Sequence, residues 1–223
     1  MSKKPLNFIH ISRTGGQTVV ATAFENQINW RKITDFHKPF PLLPKEEKDP
    51  YDWFTIVRNP YTRIISDYTW CHINIFFDKN MSDKDYFNSF LVKWITNLNS
   101  PYKEPMNYLP FIYHDKGKDH FTECYKYIDF AYPIRVLRSE ALEEDFNALM
   151  NEYGHPFTLG PKINDLPKKP VSISDMYPET IELIKKVYAR DFELFGYSTD
   201  PEKANDVPPP IVLPKPITFE QQQ

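Results

Sequence analysis

The chain has 223 residues, 41% hydrophobic and 16% aromatic, enough for one sizeable core. A formal net charge of −3, with acids and bases well mixed, argues against a nucleic-acid coat and against a polybasic membrane anchor. Two cysteines, Cys71 and Cys124, make neither a disulfide framework nor metal-ligand spacing. No stretch approaches the ~20 apolar residues of a membrane span, and the first strand candidate starts too early for a signal peptide. The expectation is a soluble, cytoplasmic protein without a membrane segment.

Leu6 to Ile11 (LNFIHI) is apolar on both faces, as a buried parallel strand requires. From Gly16 the pattern turns helical, with Val19, Val20, Ala23 and Phe24 at helix-like spacing. Strand, glycine turn and helix together build a βα phosphate site. Residues 36–50 carry four prolines and read as loop. Asp52 to Val57 is a second buried strand. It ends in Arg58-Asn59-Pro60, where Asn59 can cap a helix and Pro60 suits its first position. That helix turns Ile64, Ile65, Tyr68 and Cys71 inward.

Tyr86, Phe87, Phe90, Leu91, Trp94, Ile95 and Leu98 define an amphipathic helix. Ser100 to Lys118 is aromatic and irregular, a lid or substrate-facing insertion within about 71–125. YIDFAYPIRVL supplies a further strand. Ser139 is placed to cap a helix from Glu140 to Tyr153, stopped by Gly154. A last helix runs from Pro178 to Phe195 and ends at Gly196. From Pro201 the chain is a Pro-rich tail, residues 201–223, beyond a single domain over 1–200. Strands alternating with helices predict an α/β fold, with a mainly parallel central sheet flanked by helices in a P-loop-like three-layer sandwich.

The opening turn carries the chemistry. A helix N-terminus presents backbone N–H groups and a positive dipole end to an anion. Gly15 and Gly16 admit close approach, Thr14, Gln17 and Thr18 add donors, and Arg13 adds a permanent charge suited to bidentate oxyanion contact. A triphosphate loop would place Lys before Ser/Thr, to reach the terminal phosphates and hold Mg²⁺. Here Gly16-Gln17-Thr18 stands in that place and the basic residue precedes the glycines, which disfavours a kinase. Arg58 leaves the end of the second strand, where open α/β sheets bind ligands, and Ser66 follows two turns into the next helix. Two anion sites suit a ligand with two separated phosphate groups.

FIHISRTGGQT resembles the 5′-phosphosulfate loop of sulfotransferases that use 3′-phosphoadenosine 5′-phosphosulfate (PAPS), and FTIVRNPYTRIISDY resembles their 3′-phosphate motif. VLRSEALEEDFNALMNEYG and VYARDFELFGY extend the resemblance over most of Leu6 to Tyr197. The pattern is closest to the carbohydrate (Golgi-type) branch, here in a short soluble form, whose loop usually reads Pro-Lys-Thr-Gly-Gly-Thr-Ser.

The resemblance implies in-line sulfuryl transfer from PAPS to the hydroxyl of a glycan or small-molecule acceptor, with no metal required. Thr14, Gly15, Gly16, Gln17 and Thr18 would bind the 5′-phosphosulfate, and Arg58 and Ser66 the 3′-phosphate. Arg13 falls where the family has its catalytic Lys, and Ser12 where it has Pro. Arg stabilises developing charge but does not readily release a proton, so a weak or binding-only PAPS protein is the alternative. His37, in the loop before the second strand, is the candidate base. His10 reads as a packed strand residue, and His72, His114 and His120 flank the insertion. Lys162, Asn164, Lys168 and Lys169 form either a basic closing loop or a solvated one. Tyr102, Tyr108, Phe111 and Tyr113 suit sugar stacking or lid packing equally. Acceptor identity and oligomeric state are not encoded in any motif.

Overall fold

The structure is a computed structural model that describes residues 3–28, 30, 37–72, 81–98, 121–163 and 171–213, with only the backbone of 71, 72, 94 and 96–98. The expected lid from Ser100 to Lys118, His114, His120, Asn164, Lys168, Lys169 and the end of the tail lie outside the described residues.

The chain divides into two compact units. The first comprises Met1–Arg58, Cys124–Asn164 and Val207–Gln223, and contains the sheet. Strands β1 (Leu6–Ile9), β2 (Asp52–Val57) and β3 (Ile134–Arg138) are all parallel in the order β1-β2-β3. Phe8 pairs with Phe54 and Ile56 with Leu137, so large apolar side chains line up across one face. Two helices cover that face, α1 (Gly16–Glu25) and α5 (Leu142–Glu152). Val19 and Ala23 of α1 and Phe146, Leu149 and Met150 of α5 enclose Leu6, Phe8, Phe54, Ile56 and Leu137 in one core, with Trp30 between. The burial of these side chains is the main force holding α1 against the sheet. The expected α/β architecture, a parallel sheet flanked by helices, is the one observed.

Residues 37–50 depart from the expected irregular loop. A 3-10 turn, Phe40–Leu42, and a four-residue helix α2 (Lys45–Lys48) follow Pro39 and Pro44 in turn. Proline ended the apolar pattern in the sequence, but its fixed φ also suits the start of a helical turn. Phe40 packs edge-on against Trp53, and the buried Lys48 ammonium lies 3.0 Å from Asp129. The strand predicted across YIDFAYPIRVL is shorter than expected, because residues 128–133 turn, with Tyr132 N donating to Asp129 O at 3.0 Å, before β3 begins at Ile134.

Arg138, the last residue of β3, explains why α5 starts late. Its N–H donates to Asp145 Oδ2 at 2.8 Å, and its guanidinium pairs with the same carboxylate. Ser139–Ala141 turns as a 3-10 segment before α5, where the sequence predicts helix directly from Glu140. Gly154, with φ 72, ends the helix as expected.

The second unit comprises Asn59–Glu123 and Asp165–Asp206. It holds α3 (Pro60–His72), α4 (Asp83–Leu98), α6 (Pro178–Val187) and α7 (Ala189–Phe195). Asn59 Oδ1 accepts from Tyr61 N at 3.0 Å, so the Asn-Pro start acts as the sequence indicates. Ile64, Ile65 and Tyr68 of α3 are buried, as are Phe87, Phe90, Leu91 and Ile95 of α4. The single predicted last helix is two. Tyr188 separates α6 from α7, its ring buried and its hydroxyl donating to Phe121 O at 2.6 Å. No helix among the described residues is long and apolar enough to cross a membrane.

Candidate active site

Six residues connect β1 to α1, at the edge of the sheet where all three strands point their C-terminal ends. Open parallel sheets bind ligands at that edge. Gly15 is the helix N-cap, with φ 101, a conformation that L side chains rarely adopt. Thr18 N donates to Gly15 O at 3.1 Å, closing the first turn, while the first N–H groups of a helix lack intrahelical partners.

Gly16 is constrained differently. A Cβ there would lie 2.3 Å from His10 Cδ2 and 2.4 Å from its Nε2, so the imidazole edge of His10 rests directly on the first residue of α1. His10 also stacks on Phe8, with ring centroids 5.5 Å apart. The strand ends one residue before it, at Ile9. The sequence reading places His10 inside the strand; the structure places it in the loop, half-buried.

Arg13 has φ 61, the left-handed region, at a cost of about 1 kcal/mol or more for a residue with a Cβ. Arg58 Nη1 donates to Arg13 O at 3.2 Å. The guanidinium that leaves the end of β2 is therefore drawn to the loop. The charge of Arg58 thus meets the short segment that carries Arg13 and leads into the positive end of α1, an arrangement that suits an oxyanion.

His37 is held by the same loop. Its Nδ1 lies 3.1 Å from His10 O, and the two rings are 4.6 Å apart. A carbonyl oxygen only accepts, so Nδ1 carries the proton and the lone pair of the neutral ring sits on Nε2. His37 too has a positive φ, of 61. Such strain persists only where surrounding contacts over-determine it, and it concentrates at functional sites.

The threonines are more committed than the sequence indicates. Thr14 is fully buried and donates its hydroxyl proton to Ile11 O at 2.9 Å. Thr18 Oγ1 accepts from Ile163 N at 3.0 Å, and Thr22 Oγ1 accepts from Gly160 N at 2.9 Å. These bonds pin residues 160–163, which carry Lys162, along α1. Thr18 keeps a hydroxyl proton to donate, whereas Thr14 contributes by shaping the turn. Gln17 is exposed on the first turn. Ser66 is half-buried on α3, in the second unit.

Among the described residues no group of three or more His, Cys, Asp or Glu side chains is arranged to hold a metal ion.

The parallel sheet thus carries a glycine turn at a helix N-terminus, with Arg58 and His37 both bonded to the backbone of the same loop. The model of the sulfotransferase family matches residues 17–198, more than half of the chain, and the chain belongs to that family. The matched span includes Gln17, Thr18, His37, Arg58 and Ser66, while Arg13 to Gly16 immediately precede it. Neither the curated proteins nor the solved structures contain a match. Sulfuryl transfer from a sulfate donor to an acceptor is the activity of the family.

Proposed function

We propose that the donor is PAPS and that the acceptor is a hydroxyl of a glycan or small molecule, as in the carbohydrate branch. The observation that carries this reading is the convergence of His37 and Arg58 on the glycine turn of α1, through His10 O and Arg13 O.

In this reading the N–H groups opening α1, with Gln17 and Thr18, hold the 5′-phosphosulfate. Gly15 and Gly16 give the turn its close-packed shape. Arg13 supplies fixed positive charge to the leaving phosphate. Arg58, together with Ser66 of the helix that its motif opens, holds the 3′-phosphate. The acceptor oxygen attacks sulfur in line as the bond from sulfur to the bridging 5′-phosphate oxygen breaks. The products are the sulfate ester and 3′-phosphoadenosine 5′-phosphate (PAP). The proton of the acceptor hydroxyl passes to Nε2 of His37, whose Nδ1 proton stays with the His10 carbonyl. By analogy with phosphoryl transfer, the protein's task is positioning and stabilisation of charge on the leaving group.

The test is transfer of radiolabelled sulfate from PAPS to a panel of glycans and phenols. Transfer that disappears in His37→Ala while PAP still binds supports the assignment of the base. Transfer unchanged in that variant removes it.

A further inference from the structure

We infer that His10 is a positioning residue of the reaction: it holds His37 in its left-handed backbone conformation, with the basic lone pair on Nε2, and is itself seated against Gly16. The inference rests on the proposed role of His37 for its catalytic meaning, though not for its structural content.

Three contacts carry it. The His10 carbonyl takes the Nδ1 proton of His37 at 3.1 Å, which selects the tautomer. The His10 ring faces the His37 ring with centroids 4.6 Å apart, limiting the directions in which that imidazole can turn. On its other sides the His10 ring is trapped, stacked on Phe8 and pressed against the Cα of Gly16. His10 is therefore not free to yield when His37 moves. A loop residue with φ 61 relaxes to an ordinary backbone conformation unless something opposes it, and His10 lies where it opposes that relaxation.

The arrangement also gives the missing Cβ of Gly16 a purpose. Without a Cβ, the first residue of α1 opens the slot that the His10 ring fills. One glycine thus links the anion turn to the placement of the base. Catalytic groups need to be held to a fraction of an ångström, and such supporting contacts provide that precision.

The test uses the full chain labelled with ¹⁵N. Long-range proton–nitrogen spectra report which ring nitrogen of each of the six histidines carries the proton. His37 is assigned by the signal that is lost in His37→Gln. In the wild type, neutral His37 is expected as the Nδ1–H tautomer. His10→Ala and His10→Phe both keep the backbone carbonyl of residue 10. In His10→Ala, without the ring that holds the His37 imidazole facing it, the signature is lost in favour of the Nε2–H form preferred by isolated histidine. In His10→Phe, which keeps a flat ring, it is retained. PAP affinity stays within about threefold of wild type in both variants.

An Nε2–H tautomer in the wild type overturns the inference without any variant. So does an unchanged His37 signature in His10→Ala. A PAP affinity that falls more than about tenfold in His10→Ala assigns the ring to packing of the anion turn alone, and overturns it as well. A wild-type chain that fails to bind PAP, with the tautomers as expected, refutes the PAPS reading and leaves the His10–His37 relationship standing.

Discussion

Arg58 reaches from the end of β2 to donate to the carbonyl of Arg13 at 3.2 Å, joining two residues that the sequence motifs assign to opposite ends of one ligand. Arg13 is also the loop position with a left-handed φ. The bond helps to hold that strained carbonyl in place, so Arg58 partly shapes the turn that carries Arg13.

Replacing Arg58 therefore weakens donor binding beyond the loss of one charge. A hydrogen bond to a charged group contributes about 1.5–3 kcal/mol, or roughly 10- to 100-fold in affinity. Arg58→Ala is expected to lose at least that for PAP, while adenosine 5′-phosphosulfate, which lacks the 3′-phosphate, loses much less. Titration calorimetry with both ligands measures the difference. Equal losses would show that Arg58 acts only through Arg13.

Gly16→Ala places a methyl group 2.3 Å from the His10 ring, a distance that real side chains do not tolerate. PAP affinity is expected to fall about tenfold or more as the turn shifts. Removing the obstacle in Gly16→Ala/His10→Ala should restore much of it, a non-additivity expected for residues in contact. A double variant no better than the single one would mean that the methyl group obstructs the ligand itself.

Arg138 and Asp145 form an ion pair with side chains 9% and 14% exposed, and Arg138 Nη1 also donates to Pro208 O at 2.8 Å. Removing one partner of a buried pair leaves an uncompensated charge at a cost of about 3–5 kcal/mol. Arg138→Met should lower unfolding stability by that order in urea. Arg138→Met/Asp145→Leu should lose less than the single variant, because no charge is stranded.

The hydroxyl of Tyr153 donates to Asp52 Oδ2 at 2.9 Å, and burial, then that bond and the nearby carboxylate, push its pKa up from 10.0 to about 12. The folded-state value lies above the unfolded one. The stability it contributes is therefore complete below pH ~10 and is lost as pH rises through ~12. Alkaline unfolding should be shallower between those values in Tyr153→Phe. An identical pH slope in the two proteins would contradict the assignment.

The parts of this fold that sequence reveals are those governed by local chemistry. The apolar run of β1, the glycines before α1 and the Asn59-Pro60 start of α3 each carry their own signal, and each lies where expected. Elements set by distant contacts were hidden. Arg13 is not a residue that advertises a left-handed backbone; its φ becomes intelligible only with the Arg58 bond, 45 residues away. Thr18 reads only as a phosphate donor, yet its hydroxyl oxygen also accepts from the N–H of Ile163, 145 residues on. The break at Tyr188 has neither proline nor glycine, and its buried hydroxyl bond to Phe121 is tertiary. His10 obeys strand alternation, yet its place against Gly16 and His37 depends on a loop 27 residues later.

In the proposed function, the turn from Arg13 to Thr18 and Arg58 bind a nucleotide with a 5′-phosphosulfate and a 3′-phosphate. Competitive calorimetric titration of the wild-type chain with PAP and with ATP plus Mg²⁺ tests it most directly. Tight binding of PAP that ATP does not displace is the predicted result. Preference for ATP with Mg²⁺, or indifference to the 3′-phosphate, would contradict the account.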